Sequence, residues 1–259
     1  MDHLVQKWGM TGFTVKVIGL ISMVLDHIHE MFWTAGAPVW LTEAGRTAAP
    51  LFLFLTAQGM EHTSDRKKYL GRLLGGFWFM NLVSPQVEKF FPSETALVNN
   101  IFGTLFLCAL YIALTDIFVR GLQQRNSFRA AGAALAVLLT FAANLAVLVI
   151  LPYAPAAAAA ILTFVPLPLM TEGGIWFVFL GVAFYWLKDS RFLPVIPLAM
   201  LSWLSFWSGD GIQPWMLSAS VPMLLYNGRE GRKMKYFFYI FYPAHIYVLY
   251  IGAFFFTRA

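Results

Sequence analysis

The chain has 259 residues, of which 59% are hydrophobic and only 12% charged, and its mean hydropathy is +0.67. So few polar groups cannot coat a soluble globule of this size, which makes the bilayer the expected solvent. The net charge of +5 does not argue for nucleic acid, because the basic residues cluster in short loops between apolar runs, where they orient a membrane protein.

The apolar runs are continuous over about 20 residues rather than alternating over ten, so helices are expected instead of a barrel. The opening residues, with Asp2, His3 and Lys7, lead into a long run with no small-residue cleavage site, and no removable signal peptide is expected. In chain order the runs predict spans over 14–33, 46–62, 69–86, 99–119, 129–151, 173–187, 192–208, 212–226 and 235–257. The segment 152–171 opens with Leu-Pro-Tyr-Ala-Pro and contains Val-Pro-Leu-Pro, so it reads as a re-entrant or surface hairpin, with a tenth span as the alternative. The expected fold is an all-α polytopic transmembrane helix bundle of about nine spans, eight to ten at the limits, with a cytoplasmic N-terminus. In that orientation only Arg46, Lys89 and Arg258 of the 18 Lys and Arg lie outside. A tenth span would send the basic cluster from Arg229 to Lys235 to the wrong face. Aromatics reach 17%, with nine Trp and ten Tyr, many near run ends, where amphipathic rings sit at headgroup level.

Within the first run lies Val-Leu-Asp26-His27-Ile-His29-Glu30, four ionisable groups in a helix otherwise made mainly of Val, Ile, Leu and Met. Such groups are costly in a bilayer and mark a functional site facing the bundle interior. Lys16 precedes His27 by eleven residues, which puts the two on one face roughly 16 Å apart. That spacing suggests Lys16 on an anionic group at the surface and His27 on a reacting group deep in the membrane, the shape of coenzyme A with phosphates at one end and a thioester at the other. The alternative is an interfacial anchor and structural polar glue. Asp26 and Glu30 share a face one turn apart, and Arg46 can pair with either of them or serve as an interfacial anchor. Asp26 is too close in sequence to hold the His27 ring, so Glu30, Arg46 or His245 are the expected orienting partners. His245 follows a mid-helix proline in Tyr242-Pro243-Ala-His245. Gln58 is buried by position, Glu61 and His62 read as solvated helix-end residues, and Asn81, Asn99, Asn100, Asp116 and Glu172 are scattered polar positions. The single cysteine, Cys108, excludes a disulfide framework. No metal site is expected, because His27 and His29, two apart on a helix, point away from each other.

Several blocks, in order and over nearly the whole chain, resemble the TraX proteins, named for the membrane protein that N-acetylates conjugative pilin. They are Lys16-Val-Ile-Gly-Leu-Ile-Ser-Met-Val-Leu-Asp26-His27, Gly45-Arg46-Thr-Ala-Ala-Pro50-Leu-Phe, Gln58-Gly59-Met-Glu-His62-Thr63, Lys68-Tyr69-Leu-Gly-Arg72-Leu, Thr171-Glu172-Gly-Gly, Leu225-Tyr226-Asn227-Gly228 and Phe238-Tyr239-Ile-Phe-Tyr242-Pro243-Ala-His245. TraX in turn resembles the integral-membrane acyltransferases that acetylate polysaccharides, in which a basic residue precedes a first-helix histidine by ten intervening positions, as Lys16 precedes His27.

The resemblance implies one transmembrane acyltransferase-like domain over 1–259 in the bacterial inner membrane. It implies acetyl-CoA as a co-substrate entering from the cytoplasm, and a pilin-type peptide amine, a glycan or a lipid as acceptor. His27 would be the general base or transient acyl carrier, an imidazole whose ordinary pKa near 6.5 lets it accept a proton at pH 7. Asp26, Glu30, Arg46 and His245 complete the expected catalytic set, with Arg46 or backbone N–H groups of the proline hairpin available to an oxyanion. Lys16, Lys68, Arg72 and Arg229 are the expected contacts to the donor's phosphates. Two other classes stay open: a proton-coupled transporter, which would show an inverted repeat with paired broken helices, and a non-catalytic membrane scaffold.

Overall fold

Helices form where the apolar runs are long, and proline, glycine or a capping residue interrupts them. The computed structural model describes residues 2–233, 235–256 and 258, with the backbone alone at 2–4 and 235. The Asp2, His3 and Lys235 side chains, and Thr257 at the end of the last expected span, lie outside the described residues. The helices are α1 (Asp2–Trp8), α2 (Gly12–Phe32), α3 (Trp40–Gly45), α4 (Ala48–His62), α5 (Arg66–Phe90) and α6 (Ile101–Gln123). They continue as α7 (Ser127–Ile150), α8 (Pro155–Phe164), α9 (Gly174–Trp186), α10 (Val195–Trp207), α11 (Ser220–Leu225) and α12 (Lys235–Phe256), with 3₁₀ segments at Trp33–Ala35 and Gln213–Ala219. Among the described residues the β-type pairing is one isolated bridge between Met10 and Tyr226.

This is a membrane protein: α2, α6, α7 and α12 are long and apolar enough to cross a bilayer, and α8, α9 and α10 are shorter apolar helices. Thr11 caps α2 by accepting the Thr14 N–H, and Asn126 caps α7 by accepting that of Arg129. The proline-broken segment becomes α8, opened by Pro155 in its first turn. Its ten residues give about 15 Å, half the hydrocarbon thickness and too little to cross alone.

The chain gathers into two compact units, Met1–Leu55 with Ser84–Val98 and Trp186–Ala259, and Thr56–Val83 with Asn99–Tyr185. In the first, α2 and α12 run parallel. Phe13 meets Phe238 near their starts, His27 meets Tyr242 and His245 midway, and Phe32 meets Phe256 near their ends. One expected span needs correction: 212–226 is not one α-helix but the 3₁₀ segment Gln213–Ala219 followed by the six-residue α11. Pro222 falls in the first turn of α11, where its missing N–H is tolerated, whereas in one continuous helix it would leave the Ser218 carbonyl without a partner, which favours a fresh start at Ser220. The Asp210 carboxylate instead accepts the N–H groups of Ile212 and Gln213 at the start. The looser winding still covers ground, about 23 Å from the rises of the two helix types. Gln213 reaches Arg46 at one end, and the Leu225 carbonyl accepts the Met10 N–H at the other.

In the second unit α6 and α7 form an antiparallel hairpin. Gly121 has no Cβ where one would meet the Ala130 backbone nitrogen at 2.9 Å, and further along Tyr111 and Thr140 share a 2.6 Å hydroxyl hydrogen bond. The Asn100 amide donates to Asn81 Oδ1 at 2.7 Å and to the Phe77 carbonyl at 3.0 Å. Thr104 donates to the Glu172 carbonyl at 2.6 Å, so these scattered polar groups tie helix ends to loops.

Candidate functional site

His27 and His245 come together although 218 positions apart in sequence. His27 Nδ1 and His245 Nε2 are 2.8 Å apart, and both side chains are buried, at 4% and 8% exposure. His245 Nδ1 in turn lies 2.8 Å from the Phe241 carbonyl, four residues back on α12. A carbonyl only accepts, so His245 Nδ1 carries the hydrogen, and the neutral ring leaves Nε2 bare. That bare nitrogen accepts from His27 Nδ1–H, which leaves His27 Nε2 with a free lone pair. Phe241 stacks on the His245 ring with centroids 5.1 Å apart and planes 12° apart, and Tyr242 packs edge-on against both imidazoles. The histidine following Pro243 is therefore locked by the Phe241 backbone, on a helix that stays helical through the proline.

The Glu30 carboxylate stands 4.0 Å from His27 Nε2. Of the three expected partners of His27, His245 fixes the ring's tautomer and Glu30 faces its open nitrogen. Arg46, at the C-cap of α3, turns instead to Asp26, whose carboxylate it pairs with, and its other terminal nitrogen donates to Gln213 Oε1 at 3.4 Å. Gln213 was not legible as a site residue, since its signal is only a polar side chain where the 3₁₀ segment Gln213–Ala219 begins. His29 bonds Thr42 of α3 at 2.9 Å, while Thr47 bonds Ser218 at 2.5 Å.

Gly45 makes the Asp26–Arg46 pair sterically possible, because a Cβ there would overlap Asp26, backbone included. Gly45→Ala is expected to lower stability by about 1–3 kcal/mol, the range for forced overpacking. Thermal unfolding in detergent measures it, and an unchanged midpoint would mean that α3 can shift freely.

Lys16 keeps its place on the His27 face, with its ammonium 5.5 Å from the Phe238 ring centroid. The Arg229 and Glu230 carbonyls accept the N–H groups of Gly12 and Phe13, which fixes their loop to the start of α2. Asn227 adds a side-chain bond to the Gly9 carbonyl, which explains the polar pair in Tyr226-Asn227-Gly228. Lys68 and Arg72 belong to the other unit and have local partners there. Lys68 pairs with Asp65 at 3.3 Å, and Arg72 lies over the Tyr69 ring at 5.8 Å. The Lys68 backbone N–H, with smaller help from its ammonium, holds the exposed Asp65 carboxyl below its ordinary range. His62 bonds the Gln58 carbonyl of its own helix at 2.8 Å, as a helix-end residue does.

A second polar cluster, in the second unit, escaped the sequence. Arg66 opens α5 and pairs with Asp116 of α6, while Tyr185 of α9 donates to the same carboxylate at 2.9 Å. Arg66 also donates to Tyr185 Oη at 3.0 Å and to the Met60 carbonyl at 3.1 Å. Asp116, four residues before Arg120 in an apolar run, was the available sign.

The His27–His245 pair can take up one proton at a defined nitrogen, buried and backed by an acceptor on one side and a carboxylate on the other. Among the described residues no three His, Cys, Asp or Glu side chains gather as a metal site. The family model of the TraX protein matches residues 11–252. Probable fimbrial assembly protein FimC, serogroup H1, of Dichelobacter nodosus is 26% identical over 253 residues, covering 92% of this chain and 94% of the relative. No solved structure matches. The match over nearly the whole length, together with the ordered motifs around His27, Arg46 and His245, shows that the chain belongs to the TraX protein family.

Proposed function

We propose that this protein is a membrane-embedded acyltransferase that moves acetyl from cytoplasmic acetyl-CoA to an amine or hydroxyl, with a pilin-type N-terminal amine as the favoured acceptor. The bare Nε2 of buried His27, set by the chain from the Phe241 carbonyl through His245, is the observation that carries this reading. His27 Nε2 takes a proton from the acceptor amine as its nitrogen attacks the thioester carbonyl. The C–N bond forms, the C–S bond breaks, and the proton passes to the departing thiolate, leaving an amide and free coenzyme A. Glu30 steadies the transient imidazolium from one side and the His245 lone pair from the other. Asp26 is a positioning group that aims Arg46, whose guanidinium is the oxyanion donor.

Arg229, with Arg232 and Lys233 of the same exposed loop, meets the donor's phosphates. The loop's backbone ties to Gly12 and Phe13 support this, since they fix its cations at the start of the helix that carries His27. The parallel course of α2 and α12 supports an odd number of crossings, hence nine spans with both helices starting in the cytoplasm. A helical bundle rather than a barrel favours the inner membrane, and the name of the FimC relative favours a fimbrial acceptor.

Purified protein given acetyl-CoA labelled in the acetyl group and a synthetic pilin-type N-terminal peptide is expected to label the peptide's α-amine, and His27→Ala is expected to stop it. Absence of label on amine and hydroxyl acceptors alike, with folded wild-type protein, would overturn the reading.

A further inference from the structure

Lys16 and His27 share a face of α2, yet the space between them is lined by hydrocarbon. An open groove of about 430 Å³ runs between α2 and α12, walled by Phe13, Val17, Leu20 and Val24 on one side and by Phe238 and Phe241 on the other. Phe13 to Val24 is roughly 16 Å of helix, and the wholly apolar lining suits an extended hydrocarbon chain. That chain is not the pantetheine arm of coenzyme A, whose two amides would lose water and find no hydrogen-bonding side chain in the lining.

The two ends say what the chain carries. At the rim beside Phe238 stands Lys16, and the neighbouring loop, whose exposed Arg229, Arg232 and Lys233 are the proposed donor contacts, has Glu230 as its one acid, 3.7 Å from Lys233 and in electrostatic reach of Lys16. This end is net positive and suits a phosphate. The far end is Val24, one turn before His27, and Phe241, which also stacks on His245. We propose that the groove seats one acyl chain of an anionic phospholipid, with its phosphate on Lys16 and its methyl end against Phe241. Lys16 is thus a lipid contact rather than a donor contact, and the seated chain walls the histidine pair off on the side where the groove opens. The proposal goes beyond the acyltransferase reading and stands without it.

Native mass spectrometry of protein exchanged into mixed phosphatidylglycerol and phosphatidylcholine micelles tests it. Wild type is expected to retain one phosphatidylglycerol in preference to phosphatidylcholine by at least about fivefold, as one ammonium facing a net-negative rather than a zwitterionic headgroup supplies near a membrane surface. Lys16→Gln is expected to keep a lipid but lose the preference. Val24→Trp, which fills the groove, is expected to lose the lipid of either kind, with Ile21→Trp at the exposed rim as the substitute should that variant not fold. Added acetyl-CoA is expected to leave the retained lipid in place. Equal retention of both lipids by wild type, no change in either variant, or displacement of the lipid by acetyl-CoA would overturn the proposal, the last by giving the groove to the donor.

Discussion

His245→Ala is expected to lower acetyl transfer by about 10²–10⁴-fold, the range for losing a positioned general base, with the KM for acetyl-CoA unchanged. His245 need touch neither donor nor acceptor for this. Its Nδ1–H is committed to the Phe241 carbonyl, its Nε2 is therefore an acceptor, and that acceptor holds the hydrogen of His27 on Nδ1. Without it the His27 ring can turn or take the other tautomer, which presents an N–H to the acceptor amine instead of a lone pair. The expected loss thus falls on kcat, while the loop tied to the start of α2, the proposed donor contact, is untouched. His245→Gln puts a carbonyl oxygen near the lost Nε2 and should restore part of the rate, whereas His245→Leu fills the space and should not. Imidazole ¹⁵N shifts give a readout free of the assay, with His27 of wild type expected as the Nδ1–H form and mixed in His245→Ala. Equal rates for the Gln and Leu variants would reduce His245 to packing.

Parts of this arrangement are visible in the chain itself. His27 stands out because four ionisable groups interrupt an apolar helix, and His245 because it follows Pro243 in another. Their contact is not visible, because it depends on α2 and α12 running parallel after 218 intervening steps of chain. Pro243 suggests a freed carbonyl, yet the carbonyl that locks His245 is that of Phe241, an ordinary helical position. Arg46 advertises a carboxylate partner but not which one, and Gly45 decides it by letting α3 approach Asp26. The expected span 212–226 is not one α-helix for a reason that hydropathy averages over, since Pro222 is apolar enough to extend the run while suiting the first turn of a new helix better than the middle of a continuous one. The Lys16 side of α2 is on the expected face, but a face says nothing about what fills the space beside it, and that space is hydrocarbon. Arg66 reads as one more orienting cation because its neighbours Lys67 and Lys68 are basic too, and nothing local reveals that its partner lies fifty residues on.

Asp116→Ala is expected to cost about 3 kcal/mol, at the low end for breaking a buried ion pair from one side, because the Arg66 side chain remains 29% exposed. The carboxylate, 10% exposed, is the common acceptor of Arg66 and the Tyr185 hydroxyl, so its removal leaves a guanidinium and a hydroxyl without their acceptor among three helices, α5, α6 and α9. Arg66→Ala should cost less, since Asp116 keeps Tyr185 and has Arg120 at 4.0 Å to draw on. The unfolding midpoint in detergent should fall by roughly 6–12 °C for the first variant, from the usual 2–4 °C per kcal/mol at this chain length. Replacing all three together, Arg66→Met, Asp116→Leu and Tyr185→Phe, should recover most of the loss, because no charge or hydroxyl is then left buried alone. Transfer at a permissive temperature should stay near wild type in each, since a clip between helices acts on how long the fold lasts. Loss of transfer in Asp116→Ala with its midpoint unchanged would move this cluster from scaffold to chemistry.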